Sequence, residues 1–257
     1  MTLKDARIWL TGASSGIGEA LVAPLLEAGA RVAMTARRAD VLESIAARFP
    51  AATGRVLVAP ADVTDPASIR SAVQTIEAAW GGVDVAVLNA GTHAPVSAVE
   101  FDPIPYVQVM TLNFFSVLYC IDAVLPQMLA RRSGYIAGVA SLAGYRPLPT
   151  ASAYGASKAA LIYALQAMRF DLEPLGVDVT VINPGFVRTP LTDLNAFHMP
   201  ALIDASDAAR IIVRGLRRRR KEIHFPARFS WTLKVMRVLP YPLYEWIIKR
   251  GLRKASR

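Results

Sequence analysis

Tyr154 and Lys158 stand four residues apart in the stretch Tyr154-Gly155-Ala156-Ser157-Lys158, ahead of an apolar, small-residue run from Ala159 to Met168. Helical periodicity puts both side chains on one face near the start of a helix. A tyrosine at its reference pKa of ~10 is a poor proton donor or acceptor at neutral pH, because its two protonation states are too unevenly populated. An ammonium held close favours the phenolate and lowers that pKa. The pair is therefore general acid/base chemistry in outline, and Ser141, thirteen residues earlier, adds a hydroxyl. So short a pattern also arises by chance on a surface helix. Its meaning rests on the elements that would have to position it.

Those elements begin with an apolar run, Ala6 to Thr11, which ends in Gly12-Ala13-Ser14-Ser15-Gly16-Ile17-Gly18 and is followed by a helical pattern from Glu19 to Ala28 that stops at Gly29. Strand, glycine turn and helix in that order suit a dinucleotide. Glycines let the backbone approach a pyrophosphate, and the free N–H groups of the helix start attract its charge. Gly12, Ser14, Ser15, Gly16, Ile17 and Gly18 are accordingly candidate cofactor contacts. The next strand, Arg31 to Ala36, ends without the Asp or Glu that would hold a ribose 2′-hydroxyl in an NAD enzyme. Arg37 and Arg38 follow instead. Guanidinium groups suit a 2′-phosphate, so NADP(H) is expected over NAD(H); a solvated basic turn would read the same way.

The alternation continues with a helix from Asp40 to Phe49, an extended run from Arg55 to Pro60, and a helix from Pro66 to Trp80 with proline at its first turn. Asp62-Val63 lies where an adenine ring would be flanked, although Asp62 also reads as a plain turn residue. A fourth strand, Val83 to Leu88, is apolar apart from Asp84, as a strand covered on both faces should be. It runs into Asn89-Ala90-Gly91, small enough to leave room for a ligand at the carboxyl edge of the sheet. A long helix over 102–130 carries apolar residues on more than one stripe, and a partner helix would explain them. Tyr135 to Ala140 and Val177 to Ile182 read as the fifth and sixth strands, Ser206 to Arg220 as a helix capped by Ser206, and Glu222 to Pro226 as the last strand.

Taken jointly, Thr11-Gly12 with Gly16 and Gly18, Asp62-Val63, Asn89-Ala90-Gly91, Asn113, Ser141, Tyr154 with Lys158, and Pro184-Gly185 resemble the short-chain dehydrogenase/reductase family in its single-domain form, over about residues 5–226. The resemblance implies an α/β, doubly wound Rossmann fold with a seven-stranded, mainly parallel sheet, NAD(P)-dependent hydride transfer, and homodimers or homotetramers built on the two long central helices. It implies Asn113, Ser141, Tyr154 and Lys158 as catalytic residues. Asn113 would support a relay water near the lysine, and Lys158 would also hold the nicotinamide ribose. The loop Pro184 to Thr189 would close over the nicotinamide, with Val187 and Thr189 at its carboxamide. A lid from Pro190 to Ile203 would follow, whose Leu191, Phe197, Met199 and Leu202 either greet an apolar substrate or simply pack the loop. A cofactor-sensing protein of the same fold without chemistry is the alternative function. The presence of all four catalytic residues favours the enzyme.

Composition bounds the rest. A chain of 257 residues with 53% apolar content can bury one large core. Cys120 is the single cysteine and there are three histidines, so neither an internal disulfide nor a metal-ligand cluster is expected, and a cytoplasmic location is. The net charge of +9 is local: from Arg217 onward, thirteen Lys or Arg face only Glu222 and Glu245, a balance of +11. We therefore expect residues 1–226 to form the dinucleotide domain and 227–257 a basic, amphipathic extension. Its two segments, Phe229 to Leu239 and Leu243 to Arg250, suit a membrane interface. Docking on a partner subunit, or over the substrate mouth, would use the same residues. No nucleic-acid motif accompanies the basic run.

Overall fold

Alternate residues of the first strand part to opposite sides: Ile8 and Leu10 enter one apolar core and Trp9 the other, all fully buried. That period-2 division is what a sheet covered on both faces requires. It organises the whole computed structural model, which describes residues 2–194 and 199–255. The strands are β1 (Arg7–Thr11), β2 (Arg31–Thr35), β3 (Val56–Val58), β4 (Val85–Leu88), β5 (Gly134–Val139), β6 (Val177–Pro184), the short β7 (Val187–Arg188) and β8 (Ile203–Asp204), and β9 (Glu222–Phe225). Seven of them form one sheet in the order β3-β2-β1-β4-β5-β6-β9, every neighbouring pair parallel. The order reverses direction beside β1, so the carboxyl ends of β1 and β4 border the crevice of a doubly wound sheet.

Helices α1 (Gly16–Glu27), α2 (Ala39–Ala47) and α7 (Ala205–Arg217) cover one face; α3 (Pro66–Trp80), α4 (Ile104–Met110), α5 (Ser116–Ala130) and α6 (Ser152–Leu172) cover the other. Two more helices, α8 (Ala227–Val238) and α9 (Tyr241–Ala255), follow β9. A polar chain crosses the buried edge: Trp9 Nε1 donates to Thr35 Oγ1 at 2.8 Å, and that hydroxyl donates to the Ala59 carbonyl at 2.8 Å. Burying the indole therefore leaves no unpaired donor. At the amino edge Asp84 is an ion-pair partner rather than a strand residue, taking Arg7 Nε at 2.8 Å.

The expected elements are present with shifted ends. The third strand is shorter than Arg55 to Pro60, because only Val56–Val58 has β2 beside it in register. Helix α1 starts at Gly16, earlier than Glu19, since the last residues of the glycine turn are already helical. Helix α7 starts at Ala205 with Asp204 at the N-cap, so Ser206 lies inside its first turn and is not the cap. The long central helix runs over Ile104–Ala130, and by length and mean hydropathy, 1.6, it could cross a bilayer. Here it lies in the layer against α3, α6 and the sheet, which accounts for much of its apolar character. A π-turn over Thr111–Phe115 interrupts it, and such turns mark places where a helix is bent to serve a site.

Candidate active site

The turn after β1 can exist only with glycine at two of its positions. Gly12 adopts φ +68°, and a Cβ there would lie 2.8 Å from Ala90 Cα. A Cβ on Gly18 would lie 2.1 Å from the Gly12 carbonyl oxygen. No side chain fits either space, so the backbone closes into a tight cradle ahead of α1. Asn89 staples it from β4: its Nδ2 donates to the Thr11 carbonyl at 3.1 Å, and its own N–H donates to Thr11 Oγ1 at 3.0 Å. Thr189, from the loop after β6, sits over Gly16, where a Cβ would meet its side chain at 3.0 Å.

From this cradle a cleft of about 510 Å³ runs along the carboxyl edge of the sheet. Nearly all of the expected cofactor residues border it: Gly12 to Ile17 with the exception of Ala13, Arg37 and Arg38, Asp62 and Val63, Asn89 to Gly91, Pro184, Gly185, Val187 and Thr189. Gly18 does not line it and acts by keeping the turn closed. At one end Ala36 leaves space beside the exposed Arg37 and Arg38, and Arg38 Nη2 donates to Ser14 Oγ at 3.3 Å. Asp62 serves as a turn residue, its Oδ1 accepting from Thr64 N–H at 2.9 Å and Oγ1 at 2.7 Å; these bonds hold its carboxyl below the usual range. It also borders the cleft. The cradle, the cleft length and the cationic end fit a dinucleotide.

The other end holds the reactive side chains. Ser141 follows β5 as the cap of a 3₁₀ turn, accepting from Ala143 N–H at 3.1 Å and donating to the Pro184 carbonyl at 3.5 Å, and it borders the cleft together with Tyr154. Tyr154 and Lys158 project from the first turns of α6. Lys158 is 4% exposed, and its Nζ donates to the Val139 carbonyl at 2.9 Å, 5.7 Å from the centre of the Tyr154 ring. Burial brings its pKa down to about 8. A Cβ on Gly91 would stand 3.3 Å from Lys158 Nζ and 3.1 Å from Asn113 Oδ1, so glycine there leaves both groups their places.

One expectation changes. A lysine-lowered phenol was expected, yet the Tyr154 pKa is raised: burial dominates, and the nearby Ser141 hydroxyl opposes it. Lys158 is bound to the strand carbonyl instead of the phenol and itself loses affinity for its proton. Asn113 is fully buried in the π-turn, with Nδ2 donating to the Thr92 carbonyl and to Ser157 Oγ, each at 2.9 Å, and Oδ1 accepting Thr92 N–H at 2.7 Å. Both amide hydrogens are thus spent on tying the central helix to α6 and to the segment after Gly91.

Two features were not foreseen. The His93 ring meets the Tyr154 ring edge-on at 4.9 Å between centroids, and its Nδ1 is buried without a hydrogen-bond partner among the described residues. Burial lowers its pKa, so the imidazole beside the phenol is neutral at pH 7. Its only sequence signal is its place two residues past Gly91. The second is a polar network around Glu222, which accepts from Tyr145 Oη, from Asn183 Nδ2 at 2.9 Å and from Lys234 Nζ at 2.6 Å. It joins the Ser141 loop to β9 and α8. In the lid, Leu191 borders the cleft and Met199 and Leu202 are half-buried, whereas Phe197 lies outside the described residues.

A parallel doubly wound sheet with a glycine cradle at its crevice defines a Rossmann-type nucleotide-binding protein. Comparison narrows the class. The family described as short chain dehydrogenase matches residues 6–197. An uncharacterized oxidoreductase of Myxococcus xanthus is 36% identical over 241 residues, covering 94% of this chain and 95% of that protein; one of Listeria innocua is 36% identical over 197 residues, covering 75% and 79%. Among solved structures, a short-chain type dehydrogenase/reductase from Mycobacterium marinum superposes with a TM-score of 0.80 at 27% identity, covering 87% of this chain and 94% of that one. A short-chain dehydrogenase/reductase from Burkholderia phymatum, in complex with NAD, has the same fold, with a TM-score of 0.83 at 22% identity over 91% and 93%. The chain belongs to the short-chain dehydrogenase/reductase family, a class of NAD(P)-dependent oxidoreductases.

Proposed function

We propose that this protein is an NADP(H)-dependent oxidoreductase that interconverts a carbonyl and a secondary alcohol on an apolar substrate, with Tyr154 as its general acid and base. The observation that carries the reading is the gathering of Ser141, Tyr154 and Lys158 at one end of a cleft whose other end is a glycine cradle beside two arginines. The nicotinamide, when bound, supplies or accepts the hydride. In the reductive direction negative charge grows on the carbonyl oxygen. Ser141 donates a hydrogen bond to that oxygen, and Tyr154 delivers the proton that prevents a free alkoxide. With its pKa raised Tyr154 is protonated at neutral pH but a weaker acid than a free phenol, so its proton transfer depends on the charge that builds on the carbonyl oxygen. Lys158, charged below about pH 8, offsets the phenolate that this step creates. Asn113 positions α6 through Ser157.

Ala36 with Arg37 and Arg38 supports NADP(H), for the reason of charge already given. Leu191, Met199 and Leu202 support an apolar substrate. Exposed Phe115 on the central helix, with Tyr163 and Phe170 on α6, 79% and 81% exposed, supports a homodimer or homotetramer closed across these helices. The decisive experiment is loss of NADPH absorbance against a panel of ketones and aldehydes, including long-chain and steroid-like carbonyls, for wild type and Tyr154→Phe. On a substrate that the wild type reduces, Tyr154→Phe is expected to lower kcat on the order of 10²-fold or more while NADPH affinity stays nearly intact. Near-full turnover by the variant would remove Tyr154 from the role.

A further inference from the structure

Helices α8 and α9 present two chemically different faces. The inner face is fastened to the chain beside the cleft. Ser230 and Tyr244 are buried, Phe229 lies against Gly185 and Phe186, and Lys234 pairs with Glu222. Arg146, from the loop after Ser141, donates through Nη2 to the carbonyls of Arg237 at 2.7 Å and Leu239 at 2.5 Å, satisfying the carbonyl end of α8. The Tyr244 hydroxyl donates to the Pro147 carbonyl. These bonds run within one subunit, so the extension is held at the mouth without help from a partner.

The outer face is largely apolar and exposed, although the Trp231 ring also meets His224 edge-on at 5.8 Å and lies under Lys234 Nζ at 5.2 Å. Trp231, Val235 and Val238 recur at i, i+4 and i+7 along α8 and are 59%, 59% and 80% exposed. Tyr241, Leu243 and Trp246 continue past the Leu239-Pro240 joint, also largely exposed. Arg228 is exposed on α8, and on α9 Arg250 lies over the Trp246 ring at 5.2 Å. From Arg217 onward Glu222 is engaged by Lys234 and Glu245 by Lys249, and the acids that pair with Arg219 and Lys221, Asp178 and Glu173, lie outside that stretch. Arg228 and Arg250 face outward with no ion pair among the described residues.

Aromatic and branched apolar side chains bordered by the exposed Arg228 and Arg250 match the boundary between acyl chains and anionic headgroups. A second copy matches poorly, because a two-fold contact would set arginines opposite arginines. Nucleic acid would satisfy the charge but leave Val235 and Val238 against phosphate. We propose that α8 and α9 dock the protein on an anionic membrane surface, with Trp231, Val235, Val238 and Trp246 entering the interface and the flanking arginines meeting headgroups. Since the inner face of α8 rests on Gly185-Phe186, docking brings the rim of the cleft within about one helix diameter, ~10 Å, of the lipid. An apolar substrate then has a short path from bilayer to site.

The test uses the full-length protein and co-sedimentation with vesicles of phosphatidylcholine alone or with about a third phosphatidylglycerol, at low and high salt. Preferential recovery on the anionic vesicles, reduced by salt, is expected. Val235→Ser with Val238→Ser and Trp246→Ser, and separately Arg228→Glu with Arg250→Glu, should each lower recovery on the order of tenfold or more, with the Tm of each variant measured to show that it remains folded. Equal recovery on both vesicle types, or no loss in either variant, overturns the proposal. So does a wild type that ignores vesicles while the apolar variant, by light scattering, loses a subunit contact, which would make this face an interface between copies.

Discussion

Lys158 Nζ and the Val139 carbonyl form a 2.9 Å hydrogen bond that anchors the lysine to the end of β5, in surroundings dry enough to bring its pKa down to about 8. Reductive turnover is therefore expected to fall as pH rises through about 8, when the charge that offsets the Tyr154 phenolate is lost; Lys158→Met should abolish that inflection and weaken cofactor binding. Stability runs the other way. Between about 8 and the unfolded value near 10.4 the unfolded chain holds more protons than the folded one, so stability rises with pH across that window. Any thermal advantage of Lys158→Met should be largest below pH 8 and shrink toward 10.4. Melting curves across pH 7 to 10.5 check this.

Gly18→Ala should collapse nucleotide binding, because its Cβ would stand 2.1 Å from the Gly12 carbonyl oxygen. Gly54→Ala is the control: that glycine also has positive φ, +79°, but nothing lies within 4 Å of its Cβ. Only backbone strain of roughly 1–2 kcal/mol is expected there. Thermal shift with NADPH should vanish in the first variant and persist in the second.

Arg37→Asp should swing cofactor preference toward NADH, by removing one guanidinium and supplying a carboxylate near the ribose end of the cleft. Paired fluorescence titrations with NADPH and NADH measure it. Tighter NADH binding by the wild type would contradict the assigned preference.

Glu222 links the extension to the Ser141 loop and is expected to make that link acid-sensitive. Burial works against its charge, yet the hydrogen bonds from Lys234, Tyr145 and Asn183 win and hold its carboxyl below the usual range. A depressed folded pKa contributes stability above the unfolded value of about 4.3 and loses it as pH falls through the folded one. Proteolysis within α8 should rise as the solution is taken below about pH 4, and Glu222→Gln should raise it already at pH 7.

The dinucleotide cradle was legible in the sequence because its constraints are local: a glycine that must take positive φ, or that cannot carry a Cβ, leaves a mark at its own position whatever surrounds it. Alternating apolar runs announced the layers for the same reason. Strand ends were less legible, since β3 stops where its neighbour β2 stops pairing, and that is a property of two segments. The pairing of Tyr154 with Lys158 on one face followed from helical spacing, but the protonation of both groups did not. Desolvation, which no residue pattern records, sets it. His93 reaches Tyr154 because the loop after β4 folds over α6, and Glu222 meets Tyr145 across 77 residues because β9 lies beside β6. The composition of the extension told of a basic, apolar tail and left its placement open. Packing decided which of its residues turn inward to Arg146 and Glu222, and so which remain to face something else.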